Sequence, residues 1–166
     1  MFWLRKKLGN LFGSDHGTQL IEFAIVFPVL FLLFAGTTEL GRMFYTYNSL
    51  AKATRSGARY LSTVRDVNAN PCGSLQMSCT TAGKNMVLCG NAAGCGGNGQ
   101  PPVIMPNFSA SNIVVTPPAT VVGVKYVTVS ITGYTYQPLV FNLNAMTGGN
   151  FNISLAPSTT MRYMRN

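Results

Sequence analysis

Few residues in this 166-residue chain are equipped for chemistry, and Glu22 is the most conspicuous of them. It stands in Gly17-Thr18-Gln19-Leu20-Ile21-Glu22-Phe23, at the head of a nearly unbroken apolar run to Gly36. An isolated carboxylate in hydrocarbon costs several kcal/mol or drifts toward its neutral form, so intramembrane acids tend to be paired and functional. A cut between Gly17 and Thr18 would supply the missing cation, because the new α-amino group would lie about one helical turn from Glu22. That ammonium could pair within the chain or with a neighbouring subunit. The plain alternative is a carboxyl near the interface that snorkels or stays neutral.

The other candidates are Cys72, Cys79, Cys89 and Cys95, all beyond the apolar run. In an oxidising compartment they make two disulfides, with three connectivities that spacing does not separate. Their spacings contain no C-x-x-C, which disfavours zinc; in a reducing compartment they would be free, buried thiols. Gly94-Cys95-Gly96-Gly97-Asn98-Gly99 has the form G-x-G-x-x-G, but no strand precedes it and Pro101-Pro102 follows where a helix should begin, so no dinucleotide site is expected. Ser14-Asp15-His16 holds triad residue types, yet consecutive side chains do not form the relay, and a single histidine gives no metal cluster. Asp15, Glu22, Glu39 and Asp66 are the only acids, so the last hundred or so residues have no paired-carboxylate or acidic-metal chemistry. The expectation is a non-enzymatic protein with no cofactor and no metal.

The net charge of +8 does not point to nucleic acid, since no basic block accompanies a nucleic-acid motif. Arg5, Lys6 and Lys7 precede the apolar run, and Arg42, Lys52, Arg55, Arg59 and Arg65 follow it, so anionic lipid or an acidic partner surface fits better. With cations on both sides, the positive-inside rule leaves the orientation open.

These residues need elements to hold them. Residues 1–17 form a basic leader with enough apolar surface to lie on a membrane interface but not to span. Residues 18–38 form a helical segment whose apolar part, Leu20 to Thr38, covers roughly 28 Å and can cross a bilayer; Pro28 should kink or loosen it. Residues 39–66 continue the helix amphipathically, with Leu40, Phe44, Tyr47, Ala51, Thr54, Ala58 and Leu61 as its apolar stripe. Ser56, Gly57 and Ala58 allow close approach of another element, simple helix-on-sheet packing being the plain reading. Residues 67–106, rich in Gly, Asn, Ser and Cys, read as bridged loops. In residues 107–166, Asn112 to Thr116 is a short strand, and Val121 to Tyr136 is a long one with Val127, Val129 and Ile131 facing the helix. Phe151, Ile153 and Leu155 mark a third strand, resuming after Pro157 as an edge from Ser158 to Met164. One modest extracytoplasmic domain follows the helix. The fold class is α+β, a long N-terminal helix packed on a small antiparallel sheet with a disulfide-bridged loop region.

This order of elements resembles the type IV pilin-like class, and its details are most similar to the TadE-like pseudopilins of tight-adherence (Flp-type) pilus systems. The specific block runs from Gly17 through Glu22-Phe23, Phe27-Pro28 and Glu39-Leu40-Gly41-Arg42 to Ala58-Arg59-Tyr60, about a quarter of the chain. A weaker block covers Val127 to Thr132, Tyr134 to Leu139 and Thr160-Met161-Arg162. Thr18 stands where other type IV pilins usually carry phenylalanine.

The resemblance implies cleavage by a prepilin peptidase between Gly17 and Thr18, insertion of the helix in the bacterial inner membrane, and a minor role in assembling a type IVc pilus. The N-terminus would be cytoplasmic and the C-terminal domain periplasmic. Expected partners are the peptidase, another minor pseudopilin, the inner-membrane assembly platform, the major pilin and membrane lipid. Arg5, Lys6 and Lys7 would hold the precursor in place until cleavage releases it, after which Glu22 and the Phe23 face of the helix would set the register of neighbouring subunits. The rival reading is a periplasmic binding domain, secreted after signal removal near Thr37 or permanently anchored, unrelated to pili.

Overall fold

The computed structural model describes residues 15–70, 72–96, 103–121, 124–138 and 153–164. Residues 1–14 of the expected leader, the residues Pro101 and Pro102, Leu139 and the strand position Phe151 lie outside them, and the last three leader residues, 15–17, begin the first helix. The chain divides into two compact units at Gly41 and Arg42.

Helix α1, Asp15–Thr63, is continuous through Pro28. In the first unit its apolar side chains, Leu20, Phe27 and Phe34 among them, face outward, so this part is not the core helix of a folded domain. Phe23, Phe27 and Phe31 stack along one side at centroid spacings of 5.6 and 6.2 Å, as residues four apart on a helix must. The hydroxyls of Thr37 and Thr38 donate to the carbonyls of Leu33 and Phe34, which removes their need for water.

From Leu40 onward the buried face of α1 is only partly the expected stripe. Thr54, Ala58 and Leu61 of that stripe are buried, whereas Leu40, Phe44 and Tyr47 are exposed and Thr46 and Leu50 are buried instead. Before Thr54 the buried face is thus shifted from Phe44 and Tyr47 to Thr46 and Leu50. Thr46 donates to Arg42 O and Thr54 to Ala51 O, so each buried hydroxyl has a partner within the helix.

The segment expected to be loops contains helix α2, Cys79–Cys89. Ser78 caps its start, accepting from Thr81 N, and Gly90, at φ 74°, closes its end by donating to Met86 O. Ala82, Val87 and Leu88 on α2 are buried, so hydrophobic contact outweighs the local loop-like composition. Val87 lies against Gly57 of α1 where a Cβ would overlap it, so the small residues Ser56-Gly57-Ala58 face a helix as well as a sheet.

A 3₁₀ turn, Ala110–Asn112, leads into β1, Ile113–Val121, followed by β2, Val124–Ile131, and β3, Ser158–Arg162. The three strands form one antiparallel sheet in the order β1-β2-β3. Val127, Val129 and Ile131 are fully buried on one face of the central strand, as the alternation indicates. β1 runs further than expected, past Pro117-Pro118, where the register shifts between Thr116 and Ala119; the missing N–H groups are tolerated because β1 is an edge. The third strand is Ser158–Arg162 rather than the segment around Ile153, which makes only a bridge from Ser154 to Thr135. Leu155 from that segment still enters the core.

The core gathers Leu50, Ala58 and Leu61 from α1, Val87 from α2 and the buried face of β2. Thr54 and Thr159 share a hydrogen bond of 3.0 Å between α1 and β3. Tyr163 Oη donates to Val64 O at 2.7 Å and Met164 N to Ser62 O at 2.9 Å, tying the strand after β3 to the end of α1.

Candidate functional site

The residues singled out around Glu22 all fall on the first turns of α1. Gly17, Thr18, Glu22 and Phe23 are exposed. Thr18 and Glu22 are four residues apart, about one turn and 6 Å along the axis. Glu22 shares a shallow surface with Gln19, Phe23 and Val26. Nothing lies within 4 Å of a Cβ built on Gly17, so no neighbour in the described chain demands a small residue there. A requirement for glycine would have to come from outside the fold.

The four cysteines pair in sequence order, Cys72 with Cys79 and Cys89 with Cys95. The first bridge ties α2's N-terminus to the turn before it, where Tyr60 Oη of α1 lies 3.7 Å from Cys72 Sγ. The second pins the α2 C-terminus to the Gly94–Gly96 bend. Cys95 is thereby committed to a covalent bond, and the glycine-rich stretch around it works as a loop; Gly97 and Gly99 lie outside the described residues. Asp15 and His16 begin α1, and Ser14 lies outside the described residues. Among the described residues no cluster of His, Cys, Asp or Glu is arranged to hold a metal ion.

Two features escaped the sequence. Arg42 sits over the ring of Tyr136, 5.9 Å from its centroid, a cation–π contact across 94 residues of chain that no local pattern encodes. Tyr134 meets Phe108 edge-on at 5.6 Å and its hydroxyl approaches Pro106 O at 3.4 Å; burial pushes its phenol above the ordinary tyrosine range.

α1 is long and apolar enough to cross a membrane, and its apolar part is exposed. Fold and site together define a candidate single-pass membrane protein with a small disulfide-bridged α+β domain. Residues 17–59 match the model of the TadE-like protein family, so this chain carries the TadE-like segment. No curated protein and no solved structure matches it.

Proposed function

We propose that this chain is a non-enzymatic minor pilin-like subunit that takes part in assembling a tight-adherence pilus. The TadE-like match over residues 17–59 carries the reading, because it covers the apolar half of α1 together with the turns bearing Gly17, Thr18 and Glu22. The exposed apolar surface from Leu20 to Phe34 supports it, since such a surface needs lipid or neighbouring helices. The unexplained small residue at position 17 supports processing there by a prepilin peptidase.

On this reading the processed helix is held in the inner membrane with the disulfide-bridged domain in the periplasm, an oxidising compartment suited to both bridges. Glu22 then attracts the Thr18 ammonium of an adjacent subunit while apolar helices pack side by side. The other minor pseudopilin, the assembly platform and the major pilin are the partners.

The test is the mass and N-terminal sequence of the protein from its native host's membranes, with disulfides intact. A membrane-bound chain starting at Thr18 is expected. A start at Met1 would favour a permanent anchor, and a soluble chain starting near Thr37 would favour a secreted binding domain.

A further inference from the structure

The second unit holds an apolar groove that the described residues leave open. It runs beside α1 for about three turns, with a floor of small residues, Ser49, Ala53 and Ser56. Met86 on α2 and the Ile104-Met105 segment form the opposite wall, and the whole encloses about 660 Å³. Tyr45 stands at one end, 72% exposed, and Ile104 is 39% exposed. Ser56 Oγ is occupied by Ala53 O at 2.8 Å and Met86 O at 3.4 Å, so this hydroxyl asks for no further polar partner. The edge is different in kind. Lys52, at the rim, begins an exposed cationic row that continues through Arg55 and Arg59, spaced three and four residues apart along α1.

We infer that this groove docks an amphipathic helix of a partner protein, aliphatic on the side that enters the groove and flanked by Asp or Glu facing Lys52, Arg55 and Arg59. Charge complementarity selects this partner. All of the twelve Lys and Arg except Arg5, Lys6 and Lys7 lie beyond Gly41, where Asp66 is the sole acidic side chain. A second copy of this domain would therefore bring cations to cations, and like charges across an interface are costly. The shape argues for a helix. A groove lined along one helix by the small residues Ser49, Ala53 and Ser56 suits the ridge of side chains at i, i+3, i+4 and i+7, as in other helix-in-groove complexes, whereas a lipid headgroup would need the cations but not the groove. The inference stands independently of the pilus reading, since no residue of the membrane segment enters it.

The test uses the full chain in nanodiscs of neutral lipid and a labelled amphipathic helix of Leu and Glu. Two controls are the same composition permuted so that leucines no longer share a face, and a Leu/Lys version. Fluorescence anisotropy should give binding about tenfold or more tighter for the amphipathic acidic helix than for either control. Lys52→Glu with Arg55→Glu should abolish the preference over the Leu/Lys helix. Ile104→Glu, at an exposed wall position, should weaken the acidic helix about tenfold and leave the permuted peptide unchanged. Equal binding of the permuted peptide would reduce the surface to nonspecific charge and overturn the inference. So would self-association of the chain through this face, or binding to anionic-lipid vesicles that Lys52→Glu with Arg55→Glu removes while peptide discrimination is absent.

Discussion

Leu61 of α1 occupies the space that a side chain at Gly83 of α2 would need: a Cβ there would come within 2.6 Å of Leu61 Cδ2 and 2.7 Å of Cγ. Both residues are buried, Leu61 completely, so the leucine has no solvent side to retreat to. Gly57 meets Val87 in the same interface. The two helices cross closely because each contributes one glycine to the other's branched side chain.

Gly83→Ala should therefore destabilise the domain by about 1–3 kcal/mol, the cost of overpacking. Helix propensity acts in the opposite direction, favouring alanine by roughly 0.5–1 kcal/mol, so a net stabilisation in urea unfolding would show that Leu61 has room to move. Combining it with Leu61→Ala should recover less than is lost, because the leucine itself fills core volume.

The two disulfides close short loops, between cysteines seven and six residues apart in sequence. In the chain-entropy account each contributes roughly 2 kcal/mol. Replacing Cys89 and Cys95 by serine should lower the unfolding midpoint by that order and expose α2 from its C-terminal end, read as faster amide exchange near Leu88. Mass mapping under non-reducing conditions tests the pairing itself; a Cys79–Cys89 bridge would contradict the structure.

Tyr134 gives the domain an alkaline limit. Burial raises its pKa, so the folded state holds the phenolic proton more tightly than the unfolded chain does. That contribution is complete below the ordinary tyrosine pKa of about 10 and is lost as pH climbs through the raised value. The stability difference between the native chain and Tyr134→Phe should accordingly narrow as pH rises past about 10. A difference independent of pH would mean that the phenol is solvated in the fold.

On the proposed function, substitutions at Glu22 and Gly17 would separate processing from assembly. Glu22→Gln should leave cleavage largely intact while lowering incorporation into pilus-assembly complexes about tenfold, the effect expected for one lost charge pairing. Normal incorporation of the glutamine variant would remove the pairing role. Gly17→Ala should do the reverse and leave an unprocessed precursor, without altering the fold, since the position is open to a Cβ.

Much of this architecture is written locally. A span of apolar residues long enough for a bilayer, and a strand alternating Val127, Val129 and Ile131 with polar neighbours, each follow from a short window of chain, because helix and strand periodicities set which residues share a face. Helix α2 was also signalled, by Ser78 at its start and Gly90 just past its end, but the surrounding Gly and Asn composition pointed to loop. The TadE-like segment is legible for the same reason as the span: it is contiguous.

What composition left open was decided by contacts between distant residues. The cysteines allowed three pairings, and the placement of α2 between its two neighbouring turns selected adjacent ones. The stripe of α1 was read from residue types at helical spacing, and Thr54, Ala58 and Leu61 are buried as read, but Leu40, Phe44 and Tyr47 are left exposed while Thr46 and Leu50 take the core positions before them. Sequence by itself determined which segments form a candidate span, a helix and a central strand, since those depend on neighbours within a few residues. Only the tertiary structure decided which face of α1 is core, which cysteines join and where the groove opens, because each of those depends on what lies opposite.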